Sequence, residues 1–192
     1  MLKIYTKTGD DGTTGLLYGG RVAKDAAMMQ VTGTVDEAQA AMGMARAEAV
    51  VGSELDELLT RLERELYVLM AEATTDPTHR SKLVAAKTLV TDEMVTFLEE
   101  QIDDLIGRVS MPTEFVIPGA NRASASLDLA RTIVRRAERL SVASPIDGSL
   151  ISRYLNRLSD LLWAVARWAE GDEHLLARGE ARRDRSADPT ND

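Results

Sequence analysis

Apolar side chains recur every three to four residues along five stretches of this chain, which is the spacing of one face of an α-helix. The pattern predicts helices over residues 24–49, 54–73, 92–108, 121–143 and 150–170. The second stretch has the clearest stripe, made of Leu55, Leu58, Leu59, Leu62, Leu66 and Leu69. Ser53 and Thr91 precede the second and third stretches and have hydroxyls that suit helix N-caps. We therefore expect an all-α fold, a five-helix up-and-down bundle behind an irregular N-terminal leader.

The remaining segments predict connections and a tail. Residues 1–22 form the leader, and residues 74–90, which include Pro77, indicate a long connection. After Gly171 the chain becomes polar. We expect one domain over residues 1–175 and a disordered tail over residues 176–192.

The fourth predicted helix has a dense polar face. Its helical spacing places these residues close to one line: Ser124, Asp128, Arg131, Arg135, Glu138 and Arg139. Neighbouring guanidinium groups repel each other, and they suit carboxylate or phosphate partners. Three interpretations of this face stay open. Composition alone favours a solvated stripe, the guanidinium groups would suit an anion site, and pairing with a neighbour's carboxylates would make the face a subunit interface.

The fifth predicted helix has a second polar face, opposite its leucine stripe. This face is formed by Arg153, Asn156, Asp160, Trp163 and Arg167. A fully exposed indole would waste apolar surface. Trp163 is therefore expected either in the wall of a ligand site or in a contact between helices or subunits.

The leader contains a loop rich in Gly, Thr and Asp, running from Tyr5 to Leu16 with Lys7 inside it. Glycines let backbone amides approach an anion, and Lys7 adds a positive charge. The loop has neither P-loop nor G-x-G-x-x-G spacing, nor that of an EF-hand. A polyphosphate cradle and an ordinary tight turn both fit it. Arg21 and Lys24 follow nearby.

Composition narrows the classes of function. A net charge of −8 and a pI near 4.9 argue against broad binding to nucleic acid or a membrane surface. The 192 residues include no cysteine and two histidines, so a zinc cluster is not expected. Any metal should be a hard cation such as Mg²⁺ on a phosphate. Without a signal peptide or a long apolar run, we expect a cytoplasmic protein.

Five blocks, in order, resemble the PduO-type ATP:corrinoid adenosyltransferases. They are Tyr5 to Thr14, Gly33 to Glu37, Phe115 to Gly119, Ala130 to Arg139, and Tyr154 to Asp160, and the resemblance covers roughly residues 1–170. Asp128 stands where His is frequent in the family, and Gln39 stands where Asn is frequent. The resemblance implies a homotrimer of five-helix bundles with active sites between subunits. It also implies transfer of the 5′-deoxyadenosyl group of ATP to cob(I)alamin, with release of triphosphate.

The family motifs also imply roles for individual residues. The loop and Lys24 would bind the triphosphate, through Thr6, Lys7, Thr8, Gly9, Asp10, Gly12, Thr13 and Thr14. Arg135, Glu138 and Asn156 would hold and position ATP. Asp36 would pair with Arg131 across the interface.

Phe115 would lie at the lower face of the corrin ring, and burial in the helical core is the alternative for this residue. Cob(I)alamin attacks the ribose itself in this chemistry, so no protein nucleophile is expected. A flavin-type reductase and a cobalamin-dependent mutase are conceivable partners. Two other functions stay open: a different ATP-dependent transferase or hydrolase with the same triphosphate cradle, and a non-catalytic helical scaffold or cobalamin carrier.

Overall fold

The computed structural model describes residues 4–171 and 173–178, and it contains all five predicted helices. They are α1 (Ala27–Ala47), α2 (Glu54–Ala73), α3 (Asp92–Arg108), α4 (Arg122–Ala143) and α5 (Ile151–Glu170). The mostly helical fold is confirmed. α1 begins three residues later than predicted, because the residues before it belong to a short strand and to a turn.

Side-chain caps fix three of the helix starts. Ser53 Oγ accepts a hydrogen bond from Asp56 N at 3.3 Å, and Thr91 Oγ1 accepts one from Met94 N at 3.4 Å. α4 begins with a capping box in which Asn121 Oδ1 accepts from the amide of Ser124 at 2.8 Å. These bonds satisfy first-turn amides that have no partner within the helix.

The helices pack in an order that differs from their order in the chain. α1 lies between α2 and α4, and α5 lies between α4 and α3. Each helix contributes side chains to one shared core, including the fully buried Val35, Leu62, Leu98, Val134 and Leu158. α1 and α4 therefore pack together although two helices separate them in sequence.

Tyr154 links α5 to α2 in the middle of the bundle. Its hydroxyl donates to Glu65 Oε2 at 2.9 Å. Burial and the neighbouring Glu65 carboxylate raise the pKa of Tyr154 well above its usual value. The phenol therefore stays protonated and remains a donor.

The predicted irregular leader contains a small hairpin. Strand β1 (Thr13–Gly15) pairs antiparallel with β2 (Arg21–Ala23). Leu17 N donates to Thr74 O at 3.0 Å, and the Tyr18 hydroxyl donates to Lys82 O at 3.1 Å. These bonds attach the leader to the chain that follows α2.

A second, shorter pairing joins residues before α4 to residues after α5. Strand β3 (Val116–Ile117) pairs antiparallel with β4 (Leu175–Leu176), and Ala177 N donates to Phe115 O at 2.7 Å. This pairing thus includes residues on both sides of the predicted domain end at residue 175. The rest of the predicted tail lies outside the described residues.

The predicted connection over residues 74–90 contains a 3₁₀ helix (Pro77–Lys82) and is held by one buried carboxylate. Glu72 is fully buried on α2. Its Oε1 accepts from Arg80 Nη2 at 3.1 Å, and its Oε2 accepts from Val90 N at 2.8 Å. Glu72 therefore ties both parts of the connection to the bundle.

We expect Glu72→Gln to lower the free energy of unfolding by about 1.5–3 kcal/mol, the range for hydrogen bonds to charged groups. The amide keeps one acceptor but loses the charge that pairs with Arg80. Urea denaturation measures the change, and Glu57→Gln, an exposed acid on the same helix, is the matched control. Equal stabilities of the two variants would contradict the role of Glu72.

Candidate functional site

Two predicted ligand residues from different helices are hydrogen-bonded to each other. Asn156 Nδ2 on α5 donates to Glu138 Oε1 on α4 at 2.9 Å. Arg157 Nη1 donates to Asn156 Oδ1 at 2.7 Å, and its Nε donates to Glu99 Oε1 on α3 at 2.9 Å. The Asn156 amide is therefore held from both ends, and its orientation is fixed by three helices.

Arg135 lies one turn before Glu138 and is exposed. Its side chain makes no hydrogen bond or ion pair within residues 4–171 and 173–178, although its carbonyl accepts from Arg139 Nη1 at 3.0 Å. Burial raises the pKa of the nearby Asp160, and the charges of Arg157 and Arg135 oppose that rise. A guanidinium without a partner beside a fixed amide suits an anionic ligand.

Arg21 holds the leader loop in its turn. Its Nε donates to Thr13 Oγ1 at 2.8 Å, and its Nη2 donates to Thr8 O at 2.6 Å. Thr13 also donates from its hydroxyl to Asp11 Oδ1 at 2.8 Å. These bonds hold the loop without using the side chains of Lys7 or Lys24.

Lys24 extends across this loop. Its backbone amide donates to Gly12 O at 2.9 Å, and its Nζ would lie 3.1 Å from a Cβ added at Gly9. Gly9 therefore leaves room for the ammonium group against the loop backbone. Gly12 has a φ of 82° and Lys7 a φ of 62°, the left-handed conformation that glycine adopts without strain. The predicted triphosphate residues thus form one compact turn with a cation over it.

The predicted Asp36–Arg131 pair does not form within one chain. Asp36 is exposed on α1 and has no partner among the residues that the structure describes. Arg131 Nε donates instead to Asp128 Oδ1 on its own helix at 3.1 Å. A pair across an interface stays a prediction.

Phe115 is 89% exposed, so the alternative that placed it in the core is wrong. It lines a cleft of about 530 Å³ together with Pro112, Thr113, Glu114, Trp163, Ala177 and Arg178. Trp163 also lines a groove of about 400 Å³ between α3 and α5. Trp163 is partly buried against the core and also lines a surface cleft, so both interpretations of this residue stay predictions.

Sequence reasoning placed Arg167 on the polar face of α5, yet this side chain is 2% exposed. It is buried because α5 is covered by α4 on one side and α3 on the other. Arg167 Nη2 donates to Asp128 Oδ2 at 2.6 Å, and its Nε lies 2.8 Å from Glu170 Oε2. The sequence signals for these contacts are two i,i+3 spacings, that of Arg167 with Glu170 and that of Asp128 with Arg131.

No helix within residues 4–171 and 173–178 combines the length and apolar character needed to cross a membrane. No group of three or more His, Cys, Asp and Glu residues there is placed to bind a metal ion.

Comparisons with known proteins identify the same family as the five sequence blocks. The family model described as cobalamin adenosyltransferase matches residues 4–169. A corrinoid adenosyltransferase of Citrobacter freundii is 40% identical over 180 residues, covering 92% of this chain and 100% of that protein. The corrinoid adenosyltransferase of Bacillus subtilis is 37% identical over 172 residues, covering 86% of each chain.

A solved structure extends the similarity to three dimensions. It is a variant PduO-type ATP:corrinoid adenosyltransferase from Lactobacillus reuteri, complexed with cobalamin and ATP. It is 28% identical to this chain, with a TM-score of 0.80 over 92% of this chain and 97% of that one. This shared fold agrees with the family match over residues 4–169. It also agrees with the 40% identity to a relative that is covered over its whole length. The chain therefore belongs to the cobalamin adenosyltransferase family, and it is of the PduO type.

Proposed function

We propose that this protein transfers the 5′-deoxyadenosyl group of ATP to the cobalt of cob(I)alamin, giving adenosylcobalamin and triphosphate. The relatives carry the name corrinoid adenosyltransferase, and the Lactobacillus reuteri neighbour is complexed with both substrates. The observation that carries the proposal is the face of α4 and α5. There Arg135, which has no hydrogen bond or ion pair in the described part of the chain, lies one turn from Glu138 of the fixed Glu138–Asn156 pair.

The leader loop is the proposed binding site for the triphosphate. Lys24 lies across the turn, and the loop supplies backbone amides and the hydroxyls of Thr6 and Thr8. Mg²⁺ is expected on the ATP phosphates, where it would neutralise charge, and the loop's hydroxyl and carboxylate oxygens suit a hard cation. Cationic and amide donors together match the charge of a polyphosphate.

Substitution at the ribose needs little acid–base chemistry from the protein. The electron pair of cob(I)alamin forms the cobalt–carbon bond at C5′, while the C5′–oxygen bond breaks and its electron pair leaves on triphosphate. Arg135 and Lys24 stabilise the charge that develops on the leaving oxygen. Glu138 and Asn156 hold the nucleotide so that C5′ faces the attacking cobalt.

The cleft at Phe115 is the proposed corrinoid site. Phe115 exposes an aromatic ring there, and Trp163 forms another part of the wall. An apolar ring against the lower face of the corrin excludes water and the lower ligand from cobalt. The metal is then easier to reduce to the nucleophilic state.

We also propose a cytoplasmic homotrimer with active sites between subunits. Two features of one chain support a subunit interface near α4. Asp36 is exposed without a partner in the described chain, and α4 exposes the apolar side chains of Leu129 and Val142. A flavin-type reductase could supply electrons, and a cobalamin-dependent mutase could accept the product.

An anaerobic assay with cob(I)alamin and ATP tests the proposed activity. We expect cob(I)alamin to be consumed only when ATP is present, with one triphosphate released for each adenosylcobalamin formed. A hydrolase would release phosphate without corrinoid, and a carrier would bind corrinoid without consuming ATP. Either result would replace the proposed function.

We expect Asp36→Asn and Arg131→Ala each to weaken trimer formation or turnover, with losses in the double variant smaller than their sum. Either single change leaves a charge without its partner at the interface. Sedimentation and single-turnover rates measure the two effects, and Glu48→Gln, at the exposed C-cap residue of α1, is the control. Strictly additive losses would show that the two residues do not interact.

A further inference from the structure

A buried carboxylate connects two guanidinium groups between α4 and α5. Asp128 is 3% exposed and lies one turn before Arg131. Its Oδ1 accepts from Arg131 Nε at 3.1 Å, and its Oδ2 accepts from Arg167 Nη2 at 2.6 Å. Each oxygen thus serves a different arginine, and the side chain cannot rotate without losing one of them.

Arg167 is itself fixed. It is 2% exposed, its Nη2 donates to Glu170 Oε1 at 3.0 Å, and its Nε lies 2.8 Å from Glu170 Oε2. Glu170 is also buried. Two arginines and two carboxylates give the four-residue cluster of Asp128, Arg131, Arg167 and Glu170 no net charge. This balance of charge offsets part of the cost of burying such groups.

Arg131 is the member of this cluster that reaches the surface, with 26% of its side chain exposed. Only its Nε bonds to Asp128, and its terminal nitrogens donate no hydrogen bond within the described part of the chain. Asp128 therefore fixes the plane of the guanidinium while leaving its outer edge available. A donor fixed in advance loses less entropy when it meets its partner.

We propose that Asp128 is a positioning residue for Arg131, and that buried Arg167 holds Asp128 in place. The catalytic consequence rests on the proposed function, in which Arg131 pairs with Asp36 at the subunit interface that forms the active site. A buried ion cluster is no more stabilising than apolar packing of similar volume. The role of this cluster is to fix the direction of the Arg131 guanidinium at the surface. The cluster also borders the cleft, since Arg167 Cζ lies 5.8 Å from the ring centre of Trp163.

A test in the free protein needs neither ATP nor corrinoid. The Nε–H signal of Arg131 in a ¹H–¹⁵N spectrum, assigned by its loss in Arg131→Ala, reports the bond to Asp128. We expect slow hydrogen exchange at this signal in the wild type and fast exchange in Asp128→Asn. We expect the same direction of change in Arg167→Lys, which keeps the charge but loses the fork. The control Glu54→Gln breaks an ion pair with Arg108 between α2 and α3 and should leave the signal unchanged.

Turnover then tests the positioning role. Asp128→Asn should lower kcat about tenfold to a hundredfold, the range expected for a lost charge-assisted hydrogen bond, with little change in the KM for ATP. In an Arg131→Ala background the same substitution should change kcat by less than about twofold, because the group it positions is absent. Melting temperatures identify any variant that is poorly folded, and Arg167→Lys then replaces Asp128→Asn in the cycle.

Equal losses of kcat in the two backgrounds would overturn the proposal and leave Asp128 with a structural role alone. Unchanged exchange of the Arg131 signal in both Asp128→Asn and Arg167→Lys would overturn it as well. A wild-type protein that consumes no cob(I)alamin with ATP would instead refute the proposed function, while the exchange experiment would still decide whether Asp128 fixes Arg131.

Discussion

Arg135→Ala should slow adenosyl transfer by about 30- to 1000-fold, which corresponds to about 2–4 kcal/mol in the activation barrier. The side chain is exposed, and it has no partner among the described residues, so its loss removes no internal ion pair. The effect should come from the leaving triphosphate, whose charge increases as the C5′–oxygen bond breaks. Ground-state affinity for ATP should fall less than the rate, because the contact strengthens in the transition state.

Single-turnover rates under anaerobic conditions, with ATP affinity measured separately, check this expectation. Arg135→Lys keeps the charge but not the planar fork, so it should restore little of the rate if the contact is bidentate. Arg122→Ala is the matched control, because Arg122 lies at the other end of α4 and its side chain is 88% exposed. Near-normal turnover in Arg135→Ala would remove Arg135 from the mechanism.

The helices could be predicted because each has a long apolar stripe and most have a local start signal. Ser53 and Thr91 cap the helices that they were expected to cap. The order of packing could not be predicted in this way, because a stripe shows that a face is buried but not which helix covers it. The contact between α1 and α4 is of this kind.

The short elements escaped sequence reasoning for a different reason. Strands of two or three residues, such as β1 to β4, are too short to show an alternating pattern. The 3₁₀ helix Pro77–Lys82 has a local start, because Asp76 Oδ1 accepts a hydrogen bond from Thr78 N at 2.9 Å. Its position against α2 depends on the bond from Arg80 to the buried Glu72, which no helical pattern in the sequence shows.

Some contacts of the candidate site could be predicted from the sequence, and others depend on how the helices pack. Asn156 and Glu138 were expected to act together, and the structure brings them within hydrogen-bond distance. Arg167 was expected on a polar face and is buried, because α5 is enclosed by two helices. Asp128 appeared in the sequence as one more polar residue on the face of α4. Its link to Arg167 depends on a contact between residues 39 positions apart.

Phe115→Ala should impair the corrinoid step while leaving the fold and ATP binding intact. Phe115 is 89% exposed, so removal of its ring opens no internal cavity. The backbone bond from Ala177 N to Phe115 O does not involve the side chain and should persist. Without the ring, water or the lower ligand can return to cobalt, and the four-coordinate cob(II)alamin that precedes reduction should form poorly.

Thermal melts and corrinoid spectra decide between a site role and a structural role for this ring. Truncating a core Phe costs about 3–5 kcal/mol, which for a protein of this size is a fall of about 6–20 °C in melting temperature. An exposed site residue should change stability by no more than about 0.5 kcal/mol. Phe97, the other phenylalanine of the chain, is partly buried against the core beneath Arg61 and provides the matched control. Phe97→Ala should melt several degrees lower, while Phe115→Ala should melt like the wild type and lose the four-coordinate cob(II)alamin signal. A large fall in melting temperature for Phe115→Ala, with the corrinoid signal preserved, would assign the ring to stability and refute its role at cobalt.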